Sequence, residues 1–144
     1  MQKKAKYAIV WCLAVAIASL CGCSDQKRLA RRLSEADRVI VMDRHDSSFT
    51  MELTAEEAKK LVQAISMARE ESPFTEATAP LRMEFFKGSN LIGGLNVART
   101  GNPEIGMFGV DGVLYSDKTG TLETLGHKFS QEQAARKVTN RIGP

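Results

Sequence analysis

Hydrophobic and polar residues repeat with two different periods along this chain, and the two periods predict both strands and helices. Two apolar runs, Arg38–Asp43 and 48–53, flank the polar turn residues 44–47, which is typical of a β-hairpin. Thr54 and Glu57 then have the spacing of a capping box, which predicts the start of a helix. Apolar residues recur at helical spacing from there to about Glu71. The apolar side of this helix must cover other apolar residues, most simply a sheet.

Short strand-like segments dominate the second half of the chain. Residues 70–80 have the composition of a linker, and four apolar segments follow it, at Leu81–Lys87, 91–98, 104–110 and 113–116. Turn residues separate these segments, and Asp111-Gly112 is a strong two-residue hairpin signal. A weaker helix is predicted at 130–139, with a second capping box from Ser130 to Gln133. The predicted fold class is α+β, an antiparallel sheet of five to six strands with a C-terminal meander and one long helix packed on a face.

The alternation within these strands predicts which side chains face the core. The core-facing residues of the first two strands of the meander are expected to be Leu81, Met83, Phe85, Leu91, Leu95 and Val97. Four apolar residues are expected on the opposite face of the sheet: Phe86, Ile92, Phe108 and Val110. An apolar second face must be covered, either by another element such as the helix at 130–139 or by a partner.

The first residues of the chain have the pattern of a secretory signal peptide. Residues 1–7 carry three lysines and no acidic residue, and residues 8–20 carry no charge. A helix of that apolar length rises only about 20 Å, which is short of the roughly 30 Å hydrocarbon core of a bilayer. A cleaved export signal is therefore favoured over an uncleaved membrane helix. No twin-arginine pair precedes the apolar run, so export through the Sec route is expected.

The end of the apolar run, Leu20-Cys21-Gly22-Cys23, resembles the lipobox of bacterial lipoproteins. The resemblance implies cleavage between Gly22 and Cys23, a diacylglyceryl group on the Cys23 thiol and acylation of the new amine. It implies a palmitate-type membrane anchor without a spanning helix, in the cell envelope and facing the periplasm. Ser24 stands where Asp would retain a lipoprotein in the inner membrane, which favours the outer membrane.

The predicted domain organisation follows from this processing. Residues 1–22 form the signal peptide, 23–36 the lipidated Cys and a basic tether, and 37–144 a small α+β domain. The tether has apolar residues at helical spacing among four cations, which is typical of a short amphipathic helix. Two interpretations of these cations stay open, contact with anionic lipid headgroups or an ordinary solvated helix face. The cations are Lys27, Arg28, Arg31 and Arg32.

Composition and charge exclude several functional classes. The chain has 144 residues with 20 Lys plus Arg against 17 Asp plus Glu, and a formal charge of +3 is too small to indicate nucleic-acid binding. With 43% hydrophobic and 26% charged residues, the composition is not that of a disordered chain. All three cysteines, Cys12, Cys21 and Cys23, lie in the first 23 residues, and the one that remains after cleavage, Cys23, is expected to be lipidated. The domain therefore has no disulfide, no Cys metal site and no thiol nucleophile, and no cofactor is predicted.

The sharpest catalytic motif in the chain is Asp117-Lys118-Thr119-Gly120-Thr121, which resembles the phosphorylation signature of P-type ATPases. In that family the Asp accepts the γ-phosphoryl group. The resemblance ends after seven residues, because Glu123 stands where the signature has Thr, Ile or Ser, and too few residues follow for a nucleotide domain. Asp-Lys-Thr-Gly is also typical of a tight turn, and we predict a turn here.

Four other residues have side chains suited to acid–base or metal chemistry: Asp43, His45, Asp46 and His127. With two histidines in the chain, a solvated hairpin turn at 43–46 is the favoured interpretation. No catalytic residue and no metal site is therefore predicted. The predicted function is that of a non-enzymatic envelope lipoprotein that binds another envelope protein or a ligand. The alternative is a small periplasmic hydrolase that uses His45 or His127 with nearby acids.

Overall fold

Residues 25–71, 79–98 and 106–141 are described by the computed structural model of this chain, and they contain seven strands and three helices. In chain order the elements are α1 (Asp25–Leu33), β1 (Arg38–Asp43), β2 (Thr50–Glu52), α2 (Ala55–Met67), β3 (Arg69–Glu71), β4 (Leu81–Lys87), β5 (Asn90–Ala98), β6 (Gly106–Val110), β7 (Val113–Asp117) and α3 (Thr121–Arg141). Within these residues, no helix is both long and apolar enough to cross a bilayer.

The seven strands form one antiparallel sheet in the order β2-β1-β4-β5-β6-β7-β3. The predicted α+β class is confirmed, as are the first hairpin and the order of the meander. The sheet has seven strands rather than five to six. The additional strand is β3, because α2 ends at Met67 and the extended Ala68 redirects the chain onto β7. The helix predicted to run to about Glu71 therefore ends earlier, and residues 69–71 pair with β7 instead.

All three helices pack on the same face of the sheet. Cδ2 of Leu33 in α1 lies 2.6 Å from the position that a Cβ on Gly93 of β5 would occupy. Cβ of Leu122 in α3 lies 2.9 Å from the corresponding position on Gly106 of β6. Between them α2 buries Leu61, Ala64 and Ile65. The sheet residues under the helices are buried, and include Val39, Val41, Met51, Met83, Phe85, Leu95, Val97, Phe108 and Tyr115.

Helix α1 belongs to the core of the domain. Leu29, Ala30 and Leu33 are buried in the same hydrophobic cluster as the sheet residues, and α1 packs against both α2 and β5. The segment that we predicted as a basic tether therefore contributes its apolar side to the fold. Its cations Lys27, Arg28, Arg31 and Arg32 are exposed.

Helix α3 starts at Thr121 rather than at residue 130. Its early apolar residues Leu122, Leu125 and Phe129 are buried, and the Phe129 ring lies 5.0 Å from that of Phe49. Ser130 lies inside the helix, where its hydroxyl donates to the Gly126 carbonyl at 3.0 Å. The second predicted capping box is therefore wrong. An intrahelical bond to the preceding turn satisfies this hydroxyl equally well.

The predicted faces of the meander are only partly correct. Phe86 does lie opposite the helices, in register with Arg38. Phe108 is fully buried under the helices, and Ile92 and Val110 pack against the core, so these three predictions are wrong. A bulge between β4 and β5, where the register shifts after Phe85, reverses the alternation and leaves Leu91 51% exposed. One extra residue in a strand moves the following side chains to the other face.

Candidate functional site

The sheet face that points away from the three helices is the candidate binding site, and we call it the open face. Strand alternation and the cross-strand registers place its side chains. At the centre of the face these side chains are half-buried, apart from the exposed Arg38 and Leu91. Within the described part of the chain, all three helices lie on the other side. The residues at the centre of the open face are Arg38, Ile40, Met42, Arg82, Glu84, Phe86, Leu91, Asn96, Met107 and Leu114. The same face continues to the edges of the sheet with Thr50, Glu52, Arg69, Glu71 and Ser116.

One end of the open face is apolar. Phe86 of β4 is directly opposite Arg38 of β1 on one side and Leu91 of β5 on the other. The Arg38 guanidinium lies 5.0 Å from the centroid of the Phe86 ring, a cation–π contact that holds the ring on the sheet surface. Ile40 lies next to this group on β1. The large side chains here give this end of the face an apolar surface that the described residues leave accessible.

The centre of the open face is polar. Arg82 Nε donates to Glu84 Oε1 at 2.8 Å, and the Glu84 side chain is only 19% exposed. The same guanidinium extends over β5, where its Nη2 lies 3.4 Å from the position of a Cβ on Gly94. The absence of a side chain at Gly94 therefore makes room for this ion pair.

Asn96 adds an unsatisfied acceptor to this polar centre. It is in register with Arg82 on one side and Gly109 on the other. Its Oδ1 is buried and has no hydrogen-bond partner among the residues described. A buried carbonyl oxygen without a donor costs roughly 1–3 kcal/mol, so Asn96 is a costly residue at this place in the sheet. The sequence signal for this residue is a lone amide inside an apolar strand.

The P-type ATPase-like motif is a buried turn that leads into α3. Asp117 is fully buried, and its Oδ1 accepts from the Thr119 amide at 2.7 Å and from the Thr119 hydroxyl at 2.6 Å. Its Oδ2 accepts from the Leu122 amide at 2.9 Å. Gly120 has a φ of 73°, which a tight turn requires at this position. The turn prediction is confirmed, and both carboxylate oxygens are engaged in holding the start of a helix.

Asp43, His45 and Asp46 form the turn of the first hairpin. Asp43 Oδ1 accepts from the His45 amide at 2.7 Å and from the Asp46 amide at 3.3 Å. Asp46 Oδ1 accepts from the Ser48 amide at 3.1 Å, and hydrogen bonds from the Ser48 hydroxyl and amide lower the pKa of Asp46. Backbone amides thus occupy these carboxylates, as the turn interpretation predicted.

The second histidine has a different environment. His127 lies on α3 with its side chain 69% exposed, and its Nε2 is 3.5 Å from Glu123 one helical turn earlier. In the three described ranges, no set of three or more His, Cys, Asp or Glu side chains is arranged to hold a metal ion. Leu20, Cys21, Gly22 and Cys23 lie outside the described residues, so the anchor stays a prediction.

No protein-family model, curated protein or solved structure matches this chain.

Proposed function

We propose that this chain is a bacterial envelope lipoprotein, anchored in the outer membrane through lipid on Cys23. Its domain is a non-enzymatic binding module that docks a second envelope protein on the open face. The observation that carries the proposal is the composition of that face, with an apolar end around Phe86 and Leu91 beside a polar centre at Arg82, Glu84 and Asn96.

The anchor is supported by the lipobox-like residues and by where the fold begins. Asp25, the first residue of α1, is two positions after Cys23, so a lipid on Cys23 would hold the domain against the membrane surface. Several acyl chains anchor a protein far more firmly than one, since each buried methylene contributes about 0.8 kcal/mol. A protein held there meets its partners in the envelope.

A protein partner fits the open face better than a small ligand does. Small-molecule sites are concave and enclose most of their ligand, whereas a sheet face is broad and shallow. Protein interfaces combine an apolar core with a few polar groups at defined positions. The Arg82–Glu84 pair supplies such groups, since the two side chains are 39% and 19% exposed at the centre of the face.

The anchor is tested by Cys23→Ala in cells fed radioactive fatty acid. We expect an unprocessed precursor without label, because the acceptor thiol is gone. Cys21→Ala is the matched control and should be processed and labelled like the wild type. Continued acylation of the Cys23→Ala protein would overturn the anchor assignment.

The partner surface is tested by crosslinking and pull-down from intact envelopes. Leu91→Asp places a charge on the open face at a side chain that is 51% exposed, so it should abolish capture of the partner without unfolding the domain. Val138→Asp is the matched control, since Val138 is 56% exposed and lies on α3. Equal capture by both variants, or recovery of lipid alone by the wild type, would contradict the proposal.

The hydrolase alternative is separated by replacing both histidines. A binding module should still complement a deletion phenotype after His45→Ala and His127→Ala are combined, since both side chains are exposed. Loss of complementation by a folded double variant would favour the hydrolase.

A further inference from the structure

A groove of about 390 Å³ lies between α1 and the β6–β7 hairpin, on the helix side of the sheet. Its apolar residues are Leu29, Val110, Val113 and the ring of Tyr115. The volume is within the range of about 300–1,000 Å³ that is usual for small-ligand sites. The groove is separate from the open face, and it is lined by Asp25 at the very start of α1.

Charged side chains of both signs line this groove. Arg28 and Arg32 are one helical turn apart on α1, while Asp25 and Asp111 supply carboxylates. In the described part of the chain, no salt bridge involves any of these four side chains. A purely anionic ligand would be repelled by the two carboxylates. A ligand that carries both an anionic and a cationic group would pair with both signs.

Tyr115 also lines the groove and is only 5% exposed. Burial raises the pKa of Tyr115, and the carboxylates of Glu70, Asp25 and Asp111 raise it further. The phenol therefore stays protonated at neutral pH and can donate a hydrogen bond.

We infer that this groove binds the headgroup of an amine-bearing phospholipid, with the phosphate at Arg28 and Arg32 and the amine at Asp25 and Asp111. Guanidinium groups match phosphate oxygens in charge and in hydrogen-bond geometry. The inference rests on the proposed anchor, because Cys23 lies only two residues, or about 7 Å of extended chain, before Asp25.

The chain contains a built-in probe for this site. Its two tyrosines are Tyr7, in the predicted signal peptide, and Tyr115. In the processed protein, a ¹³C-tyrosine NMR spectrum therefore reports the groove alone. We expect glycerophosphoethanolamine, titrated into the purified full-length mature protein, to shift the Tyr115 signal saturably. Glycerophosphoglycerol, which lacks the amine, should bind about tenfold more weakly.

Two double variants of α1 have the same loss of charge and differ only in position. Arg28→Gln with Arg32→Gln removes the groove cations and should weaken glycerophosphoethanolamine binding about tenfold. Lys27→Gln with Arg31→Gln removes two exposed cations that do not line the groove, and should leave binding within about twofold of the wild type. Asp111→Asn should reduce the preference for the amine, and Asn tolerates the φ of 50° at this position.

The possible results of these experiments test the groove and the lipid anchor separately. Equal weakening by the two double variants would reveal a general basic surface and overturn the inference, as would equal binding of the two headgroup analogues. Mass spectrometry of the same sample reports the lipid on Cys23. If the protein carries lipid but its Tyr115 signal does not respond, the inference about the groove is overturned and the anchor assignment stands. If the Tyr115 signal responds in protein that carries no lipid, the anchor assignment is overturned and the inference about the groove is supported.

Discussion

Leu33 of α1 sits directly on Gly93 of β5, because a Cβ at Gly93 would lie only 2.6 Å from Leu33 Cδ2. Leu33 is 1% exposed, so its side chain has little room to move aside. This contact fixes the helix that follows Cys23 to the middle of the sheet. Helix α1 is therefore a fixed part of the domain, buried in the same hydrophobic cluster as the sheet.

Gly93→Ala should destabilise the domain by about 1–3 kcal/mol, because the added methyl group overpacks the contact with Leu33. Urea denaturation of the purified protein would measure the change. Gly109→Ala is the matched control, since the Val113 carbonyl oxygen would lie at an ordinary 3.8 Å from the added Cβ. Equal urea midpoints for Gly93→Ala and the wild type would show that close packing of Leu33 on Gly93 does not hold α1 on the sheet.

Local signals in the sequence predicted the parts of this fold that depend on neighbouring residues. Thr54 and Glu57 form the predicted capping box, with the Glu57 amide donating to Thr54 Oγ1 at 3.3 Å. Asp111 and Gly112 have φ values of 50° and 82°, which is the backbone of the predicted two-residue hairpin turn. Each of these features is specified by two to four consecutive residues.

Features that depend on long-range pairing were not predictable in the same way. The sequence of β6, with glycines around Met107 and Phe108, has no polar alternation to fix which side is buried. The candidate site, too, can be recognised only once the long-range pairing of the strands is known. Asn96 is recognisable as a polar residue in an apolar strand, but its unsatisfied oxygen follows only from the registers that align it with Arg82 and Gly109.

Gly126→Ala should stabilise the domain by about 0.5–1 kcal/mol. Gly126 lies inside α3, where glycine is unfavourable relative to alanine because of its backbone entropy. A Cβ there would lie 3.8 Å from Leu81 Cδ1, which is an ordinary contact. Thermal unfolding followed by circular dichroism would measure a higher Tm. A lower Tm would mean that α3 approaches β4 more closely than this distance allows.

Asp117→Ala should cost roughly 2–3 kcal/mol, because it removes a buried carboxylate that accepts three hydrogen bonds and caps α3. Asp117→Asn should cost less, since one carbonyl oxygen remains as an acceptor. The free energy of unfolding in urea checks both values. A stability equal to the wild type for Asp117→Ala would contradict the structural role and reopen the question of a chemical one.

The pH dependence of stability should include a contribution from Glu57, which links α2 to α3. Its Oε1 accepts from Lys128 Nζ at 2.6 Å and its Oε2 from the Thr54 amide at 2.9 Å. The hydrogen bond from Lys128 and then that from Thr54 lower the pKa of Glu57 below its ordinary range. A carboxyl group with a depressed folded-state pKa stabilises the protein above its unfolded pKa, and this stability is lost as the pH falls through the folded value.

Glu57→Gln should therefore lower the Tm near neutral pH, and the difference from the wild type should shrink as the pH falls below about 4.3, the ordinary pKa of Glu. Glu56→Gln is the matched control, because the Glu56–Lys60 pair on the same helix is 77% and 63% exposed and such pairs contribute little. A Tm difference for Glu57→Gln that stays constant from neutral to acid pH would exclude ionised Glu57 as the source. The loss would then be assigned to the geometry of the cap at Thr54, which glutamine does not fully restore.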